Sequence, residues 1–135
     1  MKNSKILKGY LIISGLLLAY FGAAILLIPI ELKASFDIII PNDMNVLNDM
    51  RAFSMLTLMI GLFTVFASFK KQFTYSATLI VSVQFLALGC GRLVSVVIDG
   101  MPVEGNIIGM CNELFLGVVG LILFFIYKNK TTINH

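Results

Sequence analysis

"FTYSATLIVSVQFLALGCGRLVSVVIDGMP", residues 73–102, decides how the rest of the chain is read. From Phe73 to Ile98 its only formal charge is Arg92, and the run exceeds the roughly 20 residues a helix needs to cross the hydrocarbon core of a bilayer. Asp99, Gly100 and Pro102 then end it with turn chemistry. Similar apolar runs occupy about 9 to 30, 46 to 69 and 105 to 127, beside this one at 73 to 98. The expected fold is all-α: a single membrane-embedded four-helix domain covering 1–135, with both termini cytoplasmic.

Composition agrees. Hydrophobic residues make up 59% of the 135 and charged residues 13%, and the mean hydropathy of +0.96 is too high for a surface that faces water. The net charge of +3 comes from lysines at the ends of apolar runs rather than from one basic face, so no nucleic-acid partner is expected. Lys2, Lys5, Lys8, Lys70, Lys71, Lys128 and Lys130 fall on one side of a four-span chain and leave Lys33 on the other. This bias places the first set in the cytoplasm of a bacterial inner membrane. Tyr10, Tyr75 and Tyr127 lie near the same side, where phenols anchor at an interface. The first run is too long for a secretory h-region and has no small-residue cleavage site, so it is read as a retained span. The outer loop "ELKASFDIIIPNDMN" is too short to span, but Phe36 and Ile38 to Ile40 are apolar enough to cover the outer mouth of the bundle.

The remaining charges within the runs need protein neighbours, since each costs about 2.5–3.5 kcal/mol near the bilayer centre. Counting 1.5 Å per residue from the outer helix ends puts Arg51 at about 9 Å depth, Arg92 at about 10 Å and Glu113 at about 13 Å. Three runs thus supply one polar layer, with Asn48, Asp49, Ser95 and Asn112 close enough to complete its hydrogen bonds and Asp99 nearer the surface. Arg92 and Asp99 are about 10 Å apart along their helix, so Glu113 is the expected partner of Arg92. Tyr20 and Gln84 lie near mid-membrane, are expected to hydrogen-bond between helices, and form a candidate pocket floor. Small residues mark close helix approach: Ala87, Gly91 and Ser95 in one run, Gly109 and Gly117 around Glu113 in another.

Other chemistries find no support. Cys90 and Cys111 have no metal or redox spacing, and about 200° of helix separates them from Arg92 and Glu113, so they point away from the polar layer as small packing residues. The one histidine is His135, which excludes a His-based triad and the usual metal sets. No cofactor or metal is expected, and the Gly89-Cys90-Gly91 stretch is not a dinucleotide fingerprint. The sequon at 129–131 falls on the cytoplasmic side.

"NDMRAF" at 48–53, "GRLVSVVIDGMP" at 91–102 and "NELFLG" at 112–117 together resemble a family of small four-helix bacterial membrane proteins whose domain has no known function. That family carries an N/E-x-x-R-A motif opening its second span, a G-R-x-x-S-x-x-x-D-G-x-P motif closing its third, and a glutamate in its fourth. The matches here are Asn48, Arg51 and Ala52; Gly91, Arg92, Ser95, Asp99, Gly100 and Pro102; and Glu113. Glycines often follow the family's R-A, where this chain has Phe53 and Ser54. The resemblance implies the four-helix fold and a shared polar layer, and no reaction. At the level of fold alone the chain is also similar to DoxX-like and sterol-isomerase-like bundles.

Three functions follow, in this order. The first is a non-enzymatic membrane protein whose outer-leaflet cluster binds a small molecule or lipid head group, or helps move one, among membrane lipids. The second is an accessory subunit, in which the charges staple the helices and Gly15-Ala19-Ala23 or Gly117-Gly120 meets a partner helix or a second copy. The third is an isomerase or hydrolase using Glu113 as acid or base.

Overall fold

Asp43 closes the first long loop by accepting hydrogen bonds from the backbone N–H groups of Asn45 (2.7 Å) and Val46 (3.3 Å), an N-cap that starts a helix at Met44. Pro29, with no N–H to lose, begins another directly after the first span. A computed structural model describes residues 4–132, with side chains to residue 128. The expectations for Lys2 and His135 lie outside these described residues, and those for Lys130 and the sequon at 129–131 lie beyond the described side chains. Five helices form: α1 (Lys5–Leu27), α2 (Pro29–Ala34), α3 (Met44–Ala67), α4 (Lys71–Asp99) and α5 (Glu104–Thr132). Among the described residues there are no strands.

Four of the helices, all but α2, are long and apolar enough to cross a membrane, which suits a multi-pass membrane protein. Gly100 breaks α4 at φ 96°, a left-handed value that favours glycine, and Pro102 follows before α5.

The helices associate as two hairpins, α1 with α3 and α4 with α5, joined mainly through α3 and α4. Glycine decides where they meet. A Cβ on Gly61 would lie 2.5 Å from the Ala19 nitrogen and 2.7 Å from the Gly15 carbonyl oxygen, so α1 and α3 are in backbone contact. On the other hairpin a Cβ at Gly89 would strike Leu114, and one at Gly117 would strike Leu86. Thus the Gly15-Ala19 and Gly117-Gly120 faces, expected to meet a partner helix, are used within the chain.

The inward face of α3 is lined by small and hydroxyl-bearing residues. Ser54, Thr57, Gly61 and Thr64 form the buried stripe of α3, while Phe53, Met55, Leu56, Met59 and Leu62 are exposed. Thr57, Thr64, Thr78 and Ser82 each donate to the carbonyl four residues earlier, at 2.6–3.1 Å, which lets a hydroxyl sit in a dry core. Ser14 is buried, and its Oγ has no hydrogen-bond partner among the described residues.

At the end that carries the chain termini the bundle is closed around Leu7, Leu11, Ala67, Ala77 and Val81. Tyr10 belongs to this core: its hydroxyl donates to the Leu116 carbonyl oxygen at 3.0 Å and lies 3.5 Å from Ser82 Oγ. It is therefore not an interfacial anchor, because its position on the α1 stripe points it inward. Ser4 donates to the Tyr127 hydroxyl at 2.6 Å, and Lys8 lies over the Phe69 ring. At the opposite end the two hairpins part, and the space between them is capped by α2 and the residues after it.

A candidate binding site

Helical phase determines which polar side chains reach that space. On α4, Arg92 falls on the same stripe as Phe85 and Gly89; on α5, Asn106, Glu113 and Gly117 share one face at intervals of seven and four. The two stripes meet. Arg92 donates from Nε to Glu113 Oε2 at 2.8 Å, from Nη2 to Oε1 at 3.2 Å and from Nη1 to Asn106 Oδ1 at 3.0 Å. This bidentate pair is partly sheltered, with 34% of the Arg92 side chain and 15% of that of Glu113 exposed. Gly109 leaves room beside it, since a Cβ there would sit 3.9 Å from the guanidinium.

The pair forms one end of a cavity of about 540 Å³. Leu17, Phe21 and Ile25 of α1, Phe53, Ser54 and Thr57 of α3, Phe85 and Leu88 of α4, and Phe115 and Leu116 of α5 supply mostly apolar walls. The cap comes from Leu32 and Lys33 of α2 with Phe36 and Ile38 beyond it. Phe36 lies against Gly105, where a Cβ would be 3.1 Å from it, and 6.5 Å between centroids from Phe21. Phe36 and Ile38 of this loop thus line the cavity as expected, Phe36 with part of its ring still exposed, while Ile39 is exposed.

Lys33 was read from the sequence as a topological exception only. Here it is half-buried and lines the cavity near Arg92 and Glu113, with no hydrogen bond or ion pair to its ammonium among the described residues. Burial holds its pKa below the usual lysine range; the Arg92 charge pushes the same way and Glu113 partly offsets both. Because the folded pKa is lowered, the unfolded chain binds more protons between the two values, so stability rises with pH across that window. Below the folded pKa the penalty for the buried charge is fully present. Lys33→Met is therefore expected to raise the melting temperature of ligand-free protein at neutral pH and to flatten the rise with pH, checked by thermal unfolding across a pH series.

Several sequence expectations are corrected. Arg51, Asn48 and Asp49 are exposed and do not line the cavity. Depth placed them beside Arg92, but at 100° per residue Arg51 and Asp49 lie roughly 100° to either side of the Ser54–Thr64 stripe and Asn48 farther round. Tyr20 is 63% exposed, on the side of α1 opposite its buried stripe, and is no pocket floor. Gln84 is half-buried but off the cavity, and neither residue makes a side-chain hydrogen bond among the described residues. Ala87, Gly91 and Ser95 are exposed, with nothing within 4 Å of a Cβ on Gly91, so they mark no helix contact. Ser95 instead donates to Asp99 at 2.9 Å on the exposed end of α4. Asn112 lines the cavity from an exposed position. Cys90 and Cys111 are free and exposed rather than packed inside.

The residues that sequence reasoning missed are Lys33 and Asn106. Asn106 carried a signal, its spacing of seven from Glu113; Lys33 carried none, because the fold of the loop puts it there. Both Glu113 oxygens accept a hydrogen bond from Arg92, which fixes the plane of the carboxylate. Among the described residues no three His, Cys, Asp or Glu side chains come together in a metal-binding group.

Neither a curated protein nor a solved structure matches the chain. A family model matches residues 6–124, from early in α1 to late in α5, and so includes both hairpins, the cap and every residue of the Arg92–Glu113–Asn106 cluster. By that match the chain belongs to the family described as a domain of unknown function, DUF4345.

Proposed function

We propose that this is a multi-pass protein of a bacterial inner membrane that binds a small molecule or lipid in the cavity between its two hairpins. Exposed Ile13, Leu16, Leu62, Phe66, Val97 and Phe115 support embedding, because a belt of this kind would be costly in water. Lys5, Lys8, Lys70, Lys71 and Lys128 gather at the terminal end, whereas Glu31, Asp37, Asp43, Asp99 and Glu104 gather at the α2 end. This favours cytoplasmic termini and a cavity in the outer leaflet.

The observation that carries the binding function is the cavity itself. At about 540 Å³ it is within the roughly 300–1,000 Å³ of small-molecule sites, and it combines apolar walls with a few convergent polar groups. An exterior staple would not need the space. The test is native mass spectrometry of protein extracted from bacterial membranes, beside a Leu88→Trp variant that fills the cavity from a half-buried wall. A co-purifying small molecule or lipid retained by the parent and lost from a folded Leu88→Trp protein is expected. Equal retention by both would place the ligand elsewhere and remove the proposal.

A further inference from the structure

Resting on that reading, we infer that the ligand is an anionic amphiphile with one hydrocarbon chain, its oxyanion held between Lys33 and Arg92 and its chain laid along the phenylalanine-lined walls.

Charge is the first argument. Arg92 and Glu113 cancel as a bidentate pair, and Lys33 remains as a half-buried cation without a protein partner among the described residues. A cation kept in such a place is costly unless something anionic joins it. Hydrogen-bond capacity is the second. A guanidinium has five N–H donors; Arg92 uses one each from Nε, Nη1 and Nη2, which leaves one on Nη1 and one on Nη2. Glu113 and Asn106 thus fix the plane of the guanidinium while two donors remain for an oxyanion, which fits carboxylate or phosphate geometry. A cationic head group is disfavoured, since the Glu113 charge is already matched by Arg92 and Lys33 adds a further positive charge to the lining.

The walls specify the rest. Phe21, Phe53, Phe85 and Phe115 come from four different helices and offer no further charge. The walls run from Leu32, Lys33 and Phe36 at the α2 end to Phe85 and Leu116 deeper in the bundle, and about 540 Å³ is the space of one small ligand. One chain lies there with its head at the α2 end; a free anion would leave the apolar walls unused.

The experiment uses the full chain in phosphatidylcholine nanodiscs, with affinity read by displacement of a fluorescent fatty acid and by melting temperature. The probes are hexadecanoate, hexadecyl phosphate, hexadecanol, acetate and inorganic phosphate. At least one chain anion is expected to bind about tenfold or more tightly than hexadecanol, and acetate and phosphate not at all. The tighter of the two anions names the head group. Lys33→Met should bring the chain anion to within a few-fold of the alcohol, and Lys33→Arg should retain most of the preference. Because Lys33 bonds to nothing in the described fold, Lys33→Met is expected to fold, which its melting curve checks. Equal binding of alcohol and anion, or an unchanged preference in Lys33→Met, would overturn the anionic head group while leaving the cavity function standing. Binding of acetate or phosphate as tight as the chain anions would overturn the chain. No binding by any probe that has a chain would overturn this inference; it would overturn the cavity function only if Leu88→Trp also left ligand retention unchanged.

Discussion

Gly61→Leu is expected to abolish the folded bundle. A Cβ at this position already falls within 3.0 Å of three α1 atoms, all of them backbone, so no side chain can swing aside to relieve the overlap. Overpacking a well-filled interior costs about 1–3 kcal/mol where rotamers adjust and more where the backbone must move. The expected readout is loss of the cooperative thermal transition in detergent and loss of the monodisperse peak in size-exclusion chromatography. Gly91→Leu supplies the contrast: nothing lies within 4 Å of its Cβ, and replacing a helical glycine raises helix propensity. That variant should melt at or above the parent temperature. If Gly61→Leu folded as well as Gly91→Leu, backbone contact between α1 and α3 would not be what holds the first hairpin.

The second large effect is at the ion pair. Glu113→Ala leaves the Arg92 guanidinium partly buried with its bond to Asn106 but without its carboxylate, and Arg92→Leu removes both hydrogen bonds to the Glu113 carboxylate. Each single change should cost about 1–3 kcal/mol, moderated by the third of Arg92 that is exposed. The double variant removes both charges and is expected to recover most of that loss, since an ion pair often contributes little more than an apolar substitute. A double-mutant cycle by thermal unfolding measures the coupling. Strictly additive losses would mean that the two side chains do not act as a pair. Ligand binding separates stability from function: the recovered double variant should still lack the anion preference, because Arg92 is gone.

Four spans were legible because length and hydropathy alone identify them, and the Arg92–Glu113 pair was legible because depth counted from the span ends puts both residues in one layer and leaves Asp99 too far along the helix from Arg92. Arg51 was misplaced for a physical reason. A water-soluble helix announces its buried face with large apolar residues, but α3 is apolar all round and its inward face is Ser54, Thr57, Gly61 and Thr64. Depth along the axis was readable from the span ends; rotation about it needed that inverted rule. The same rule would have separated Gly89, which touches Leu114, from Gly91, which touches nothing. Lys33 could not be placed from its own neighbours, because whether "ELKASF" folds over the mouth depends on contacts such as Phe36 with Gly105 that are distant in sequence.

The pairing of α1 with α3 and of α4 with α5 has a consequence for how the protein is made. Each tight pair consists of spans that are consecutive along the chain, separated by α2 and its loop in one case and by Gly100–Val103 in the other. The first pair is therefore complete once α3 has left the ribosome, before α4 and α5 have emerged. Assembly then reduces to docking two preformed hairpins, and the cavity between them comes into being only at that last step.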